Sequence, residues 1–506
     1  MVDQRVDATR SRAGKVAARL TPDIEEAAYG LFRRRPLSSA GRRIAPPLVL
    51  LLAPGAFLTG LLVCAPATTL SVLVAWLYFY IAAISGVRLA AALFPPRPAP
   101  RRDIPDDDLP MISVIVALYQ ESEVVAGLCA ALRRSNYPRA KLDVILVLEA
   151  DDAATLEAAR PAARRAGFRV LVAPHGEPRT KPRALNYALQ AARGDLVAVY
   201  DAEDAPHPYQ LRAAAGSFAA DEALGVVQAP LGWYNGAENW LTRQFSLEYA
   251  AQFHALLPLF ARFGAPLPLG GTSNVFRRSA LEAVGGWDPF NVTEDADLGF
   301  RLARNGWRAG IIAPGTGEEA PIHLSSWIGQ RSRWLKGHLV TWLVQLRRPG
   351  ELWTATGPLG FATLQLTLLA NVFSALVQAP GLALWVAGCI SIGLGVAGPL
   401  TALGVGLGLF AWLSALACLA AGARRAGVQV RWLDLVSVNA YWLCQLPAAW
   451  RALKELRLRP YVWVKTRHGI SSRRREAPHE SAHDVELDGA ERRPVRSGRL
   501  ARQPAE

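Results

Sequence analysis

Apolar positions along this chain fall into two kinds of block, long uninterrupted runs near either end and shorter β-branched or periodic runs between them. From Leu352 to Ala423 no charged residue occurs over 72 positions, and a helix needs only about 20 apolar residues to cross a bilayer, so this run predicts three spans. Two further apolar segments, Pro47 to Ala65 and Ala67 to Val87, are joined by a turn too short for anything except a helical hairpin, and they predict two spans. A last uncharged piece, Leu435 to Trp450, has 16 residues. It reads as a short span, with a helix lying in the interface as the alternative. Six spans leave both termini on one side but put Arg424, Arg425 and Arg431 on the other; four spans with a re-entrant piece remove that conflict.

The stretch between the membrane blocks, Asp106 to Pro349, has ordinary charge density. "MISVIVALY" (111–119), "LDVILVLEA" (142–150), "FRVLVA" (168–173) and "DLVAVYDAED" (195–204) read as buried strands. Helical patterns follow the first at Ser122 to Arg134, the second through Arg165 and the third at 181–192. Strand and helix alternate at spacings that demand crossovers, which predicts an α/β domain with a largely parallel, doubly wound sheet. Ligands of such sheets bind beyond the carboxyl ends of the strands, where this sequence places Tyr119, Gln120 and Glu121, then Glu149, Asp151 and Asp152, then Asp201, Glu203 and Asp204. The predicted division is a polar, largely disordered flank (1–45), two transmembrane helices (46–95), the soluble domain (105–350), about four transmembrane helices (351–452) and a basic, mostly disordered tail (453–506).

The net charge of +14 gathers beside the apolar segments, at Arg33 to Arg35, Arg42 and Arg43 and again from Arg451 to Arg475. That distribution fits the positive-inside rule better than a nucleic-acid groove. It places the soluble domain and both termini in the cytoplasm, and the Ala-, Arg- and Gly-rich composition suits the inner membrane of a bacterium of high genomic G+C. The five cysteines are scattered without a CxxC and read as packing residues. The spans carry almost no ionisable residue, which argues against a transporter.

Four motifs carry candidate chemistry. "VYDAEDAP" ends a strand in three carboxylates, a natural setting for a hard divalent cation, or else a solvated acidic turn. "RTKPRALNYAL" sets Arg179, Lys181 and Arg183 at a helix start, a phosphate site or a basic turn. "NVTEDADLGFRL" gives Thr293 as N-cap with Glu294 and Asp295 in the first turn, either favourable to the dipole or able to supply a general base. "IGQRSRWLKG" packs Gln330, Arg331, Arg333, Trp334 and Lys336 into ten residues, a membrane-surface helix or a grip on a diphosphate and a sugar ring.

Taken together, an acid after an early strand, Asp-Ala-Glu-Asp, Thr-Glu-Asp, and Gln-Arg-Ser-Arg-Trp 35 positions after Asp295, all flanked by spans, resemble the family 2 glycosyltransferases of the cellulose, chitin and hyaluronan synthase type. The resemblance covers residues 110 to 345 and the layout of spans. It implies a GT-A domain and an inverting, processive hexosyltransferase that passes sugar from a nucleoside-diphosphate donor, usually a UDP-sugar, to a growing glycan with Mg²⁺ or Mn²⁺. It implies that Tyr119 and either Glu149 or Asp151 hold the nucleobase and that Lys181 and Arg333 meet the diphosphate. Asp201 with Glu203 or Asp204 would hold the metal, and Asp295, beside Glu294, would be the base. Trp334, Gln330 and Arg331, with Gly271 and Thr272 of "PLPLGGTSNVFRR", would face the acceptor. The departures are Glu203 in place of the second Asp of the metal motif, "LEADD" after the second strand and Gln120 where Asn is usual. The alternative is a non-processive transferase making a glycolipid or lipid-linked sugar. The partners expected are the bilayer and an accessory export or regulatory subunit.

Overall fold

The computed structural model describes residues 22–42, 59–61, 63–459, 461 and 471. The span expected over Pro47 to Ala65 lies largely outside the described residues, as does most of the tail after 459. Helix α1 (Ile24–Arg34) precedes the apolar helix α2 (Pro66–Leu93). The soluble domain then runs β1 (Ile112–Leu118), α3 (Val125–Arg133), β2 (Leu142–Glu149), α4 (Ala153–Ala166), β3 (Arg169–Ala173), α5 (Lys181–Ala191) and β4 (Leu196–Tyr200). It continues through β5 (Ala205–Pro206), α6 (Gln210–Ala220), β6 (Leu224–Gln228), β7 (Leu231–Trp233), α7 (Trp240–Ala251) and, after a π turn, α8 (Leu257–Arg262). It closes with β8 (Asn274–Arg277), α9 (Arg278–Ala283), α10 (Glu294–Arg304), β9 (Arg308–Ile311), β10 (Thr316–Glu318) and α11 (Leu324–Gln345).

All four predicted strands form, and they pair in parallel in the order β3-β2-β1-β4. β8 joins antiparallel to β4 and β6, and β9 completes the sheet beside β6. A second sheet of three short strands, β5-β10-β7, lies apart. Alternation along β1 explains the layering: Val114 and Val116 face a core with α3, α4 and α6, whereas Ile115 faces a core with α5, α8 and α10. With both faces covered, the strands need not alternate apolar with polar, which is why they are continuous apolar runs in the sequence. The chain leaves β1 towards β2 and β3 and returns to its other side at β4, so a crevice opens between β1 and β4 at their carboxyl ends. This is the mixed α/β sheet of a GT-A domain, with apolar helices before and after it.

Three of the described helices are long and apolar enough to cross a membrane: Pro66–Leu93, Pro349–Gly393 and Pro399–Arg425. The second comprises α12 (Pro349–Leu364), a π turn and α13 (Ala370–Gly393), and the third is α14. The uncharged run from Leu352 to Ala423 therefore makes two long helices where three spans were expected. Its turns fall at Gly357, which leaves the helix at φ 66° ahead of Pro358, and over Leu394 to Gly398. Leu435 to Trp450, expected as a span, is split at Cys444 between α15 (Trp432–Leu443, 12 residues) and α16 (Gln445–Leu458). Twelve residues rise about 18 Å, short of a hydrocarbon core of about 30 Å. These two helices pack on α7 and α11 of the soluble domain: Arg243 pairs with Asp434 at 3.1 Å, and Lys336 with Glu455 at 3.1 Å.

The N-terminal flank also departs from expectation. α1 is a regular helix, N-capped by Asp23, that buries Ala27, Ala28 and Leu31 against α5. Ser39 and the Ala40 N–H then bond the buried carboxylate of Asp288. Two alanines and a leucine make a stripe too slight to stand out among the charges around it.

Candidate active site

A cavity of about 460 Å³ fills the crevice between β1 and β4 and continues to the membrane helices. One end is built by the loops after β1 and β2. The Gln120 and Glu121 N–H groups are held by the Asp152 carboxylate and by Thr155 Oγ1, on the first turn of α4, which fixes the loop carrying Tyr119. The Arg179 guanidinium stacks on the Tyr119 ring, 4.9 Å from its centroid, and pairs with Asp151. Glu149 lines the cavity and is bonded to the wholly buried Arg183. Burial raises the Glu149 carboxyl above its usual range, although Arg183 opposes this. Asp151 is solvent-exposed and is not part of the lining, so of the two rivals only Glu149 faces the cavity.

The middle of the cavity is where the acidic motifs meet. Lys181, the first residue of α5, reaches the Asp201 carboxylate and the Gly271 carbonyl at 2.8 Å. Burial works against its charge, but Asp201 and Glu294 more than compensate and raise its pKa. Asp295, at the start of α10, accepts from the Ala296 N–H at 2.8 Å, and a side chain at Gly271 would place its Cβ 3.3 Å from the Asp295 carboxylate. That is why the position suits a glycine. Burial raises Asp295 to about 6 despite that N–H and Lys181, and burial together with Asp295 raises Glu294 to about 7. Arg333 faces the same carboxylates; burial lowers its pKa, and Glu294, Asp201 and Asp295 oppose the shift.

Asp204 is turned inward, accepting from the Asp201 N–H at 2.7 Å and from Thr272 Oγ1. Thr272, expected at the acceptor, is thereby directed at Asp204, while Asp201 and Glu203 line the cavity. Glu318, at the end of β10, joins this group although no motif singled it out. Its Oε1 and the Oδ1 of Asp204 are buried without a hydrogen-bond partner. Burial and mutual repulsion raise both carboxyls well above their usual range. Such surplus negative charge with oxygen donors suits a hard divalent cation at Asp201 and Glu203. Among the described residues no three His, Cys, Asp or Glu side chains converge to hold an ion unaided, so donor phosphates would have to complete its coordination. The hint of Glu318 in the sequence is the Glu-Glu pair ahead of α11, 12 positions before Gln330.

The α11 motif divides in two. Gln330, Arg333 and Trp334 line the cavity, and the Gln330 Oε1 is buried without a partner. Trp334 stacks near Tyr249, 6.1 Å between centroids, in an aromatic wall continued by Phe245 and Trp233. Arg331 reaches the cavity wall but is engaged elsewhere: it grips Glu248 through two N–H groups and meets the Tyr441 hydroxyl at 3.1 Å. Phe245, Trp334 and Trp327 stack around it at 4.6, 4.8 and 5.1 Å. Its guanidinium thus packs on Trp334 while paired with Glu248.

Residues 110–337 match the family described as glycosyltransferase like family 2. The soluble domain is a family 2 glycosyltransferase domain. Beta-monoglucosyldiacylglycerol synthase of Synechocystis sp. is 30% identical over 261 residues, which cover 50% of this chain and 52% of the relative. Cellulose synthase 1 catalytic subunit of Komagataeibacter xylinus is 26% identical over 238 residues, 46% of this chain and 31% of that one. A mannosyltransferase of Pyrobaculum calidifontis, solved with GDP-Man and Mn²⁺, is 21% identical with a TM-score of 0.46, covering 74% of this chain and 99% of that chain. The chain spans about half the length of the first curated relatives it matches. The transferase domain thus holds its carboxylates, Lys181 and Arg333 in one cavity, with Tyr119 and Glu149 at one end and membrane helices at the other.

Proposed function

We propose that this protein is an inverting, membrane-bound hexosyltransferase that moves a sugar from a nucleoside-diphosphate donor to an acceptor arriving from the bilayer. The observation carrying this reading is the continuity of the cavity: it runs from Tyr119 and Glu149, past Asp295, to Ile84, Val87, Leu256, Leu366 and Ala370. Tyr119 and Glu149 would take the nucleobase, Lys181 and Arg333 the diphosphate. Asp295, ionised near neutral pH, would remove the proton from the acceptor hydroxyl as the bond to the diphosphate breaks on the opposite face of the sugar. Lys181 and Arg333 would compensate the charge developing on the leaving group. Asp201 and Glu203 would hold Mg²⁺ or Mn²⁺, whose chemistry there is further neutralisation of that diphosphate. Trp334 and the Gln330 carbonyl would meet the acceptor sugar or alcohol.

Ile84, Val87, Leu256, Leu366 and Ala370 at the membrane end, interspersed with polar Thr367, Asn371 and Ser374, would suit the chains and headgroup of a lipid-borne acceptor, and this favours single transfer over extrusion of a hydrated polymer. We infer further that the domain lies on the cytoplasmic face, because the basic ends of the described apolar helices, Arg347 and Arg348 before α12 and Arg424 and Arg425 of α14, are on its side. The experiment is a screen of radiolabelled nucleotide sugars with Mg²⁺ or Mn²⁺ in nanodiscs of native lipid, with Asp295→Asn as control. Solvent-extractable product from one donor, lost in the variant, is the expected result; high-molecular-weight product would return the protein to the polymer synthases.

A further inference from the structure

We propose that Arg88 forms a binding site for the phosphate of a membrane lipid at the membrane end of the cavity. Arg88 is the single charged residue of α2. With Ile84 and Val87 it makes one stripe of that helix, at i, i+3 and i+4, turned into the cavity. The guanidinium has five N–H donors, yet among the described residues it makes no hydrogen bond and no ion pair. Other arginines of the fold behave differently. Arg425 bonds four carbonyls, Arg331 holds Glu248 and Tyr441, and Arg179 holds Asp151.

An unpaired guanidinium in an apolar helix is costly unless an anion completes it, and an intramembrane charge aimed into a cavity marks a ligand path. Aliphatic side chains line the same cavity: Ile84 and Val87 beside Arg88 on α2, and Leu256, Leu366 and Ala370. Free phosphate would gain nothing from them, whereas a phosphate ester carrying acyl or isoprenoid chains would fill them. An arginine this close to a helix end would ordinarily reach for the headgroup layer along the lipid-facing surface; Arg88 points inward instead.

The inference rests on the reading above that the acceptor comes from the bilayer, and it narrows that acceptor to a lipid bearing a phosphate. The test uses the full chain in neutral detergent with two probes that differ by the phosphate alone, dioleoylphosphatidic acid and dioleoylglycerol, bound lipid being counted by native mass spectrometry. The wild type should bind the phosphatidic acid about tenfold more tightly. Arg88→Gln should erase the difference and Arg88→Lys should retain part of it, and both must still bind nucleoside diphosphate as evidence of folding. Equal binding of the two lipids by the wild type, or unchanged preference in Arg88→Gln, overturns the proposal. Displacement of phosphatidic acid by an equal concentration of inorganic phosphate overturns the lipid as source. Transfer of sugar to a neutral lipid by wild type and Arg88→Gln alike would leave the lipid-acceptor reading standing without this site. Polymer product with phosphatidic acid still bound through Arg88 would do the reverse.

Discussion

Asp295 supplies a prediction with a worked magnitude. Its proton leaves at about 6 instead of the ordinary 3.8, because burial penalises the carboxylate more than the Ala296 N–H and Lys181 favour it. The base works only when ionised, so the sign is a rate that rises with pH. A group titrating at about 6 is ionised to about nine-tenths at pH 7 and about one-tenth at pH 5, which gives about a tenfold loss of kcat between them. An exposed aspartate would hold the full rate down to about pH 5. Glu294, raised to about 7 by burial and by Asp295, is still mostly protonated where Asp295 ionises, so Glu294→Gln should leave the limb close to its wild-type position. The assay is the initial rate of sugar transfer at saturating donor from pH 4.5 to 8, for wild type, Glu294→Gln and Asp295→Asn. Asp295→Asn should lose about 10²- to 10⁴-fold at pH 7 and with it the acidic limb, while nucleoside-diphosphate binding persists. A wild-type rate flat from pH 7 to 5, or an Asn variant within a few-fold of wild type, would refute Asp295 as the base.

Glu248→Gln should cost about 3 kcal/mol in thermal unfolding, the low end for a broken buried pair because the Glu248 side chain is 29% exposed, and Tyr441→Phe about 1 kcal/mol. Glu149→Gln should destabilise by about 3–5 kcal/mol by stranding Arg183, whose side chain is wholly buried, and should weaken nucleotide binding. Asp151→Asn, at a solvent-exposed pair, should change stability by less than about 1 kcal/mol in the same denaturant titration. Arg425→Ala removes hydrogen bonds to Ala91, Ala92, Phe94 and His254 carbonyls and should lower the melting temperature in detergent, whereas Arg424→Ala should leave it near wild type.

What the sequence made legible follows from how local each signal is. β1 to β4 are continuous apolar runs bounded by turns, and the α/β alternation fixes their parallel pairing, so these strands and their carboxyl-end acids could be read directly. The direction of each acid could not. Asp204 and Asp201 stand three apart in one turn, and only the position of Thr272, 68 residues later, decides that Asp204 points inward. Glu318 entered the cavity on β10, a three-residue strand too short to announce itself although it is the central one of its sheet. Arg331 looked like Arg333 in sequence, and its partner Glu248 lies 83 residues earlier, on a helix that could have been read as core or as membrane surface.

The membrane portion shows the same limit and its remedy. A run of 72 residues without charge contains no mark that separates three helices of 20 from two longer ones, yet the basic residues just beyond it do carry that information. Counting three spans forced Arg424 and Arg425 to the far side, against the positive-inside rule. With two helices, α14 returns to the domain, and Arg425 closes on the end of α2 and on His254. The charge conflict was therefore the better guide to the number of long helices in this run than the hydropathy that produced it. The same reasoning applied to Arg88, a charge inside an apolar helix with no hydrogen-bond or ion-pair partner among the described residues, points to a ligand.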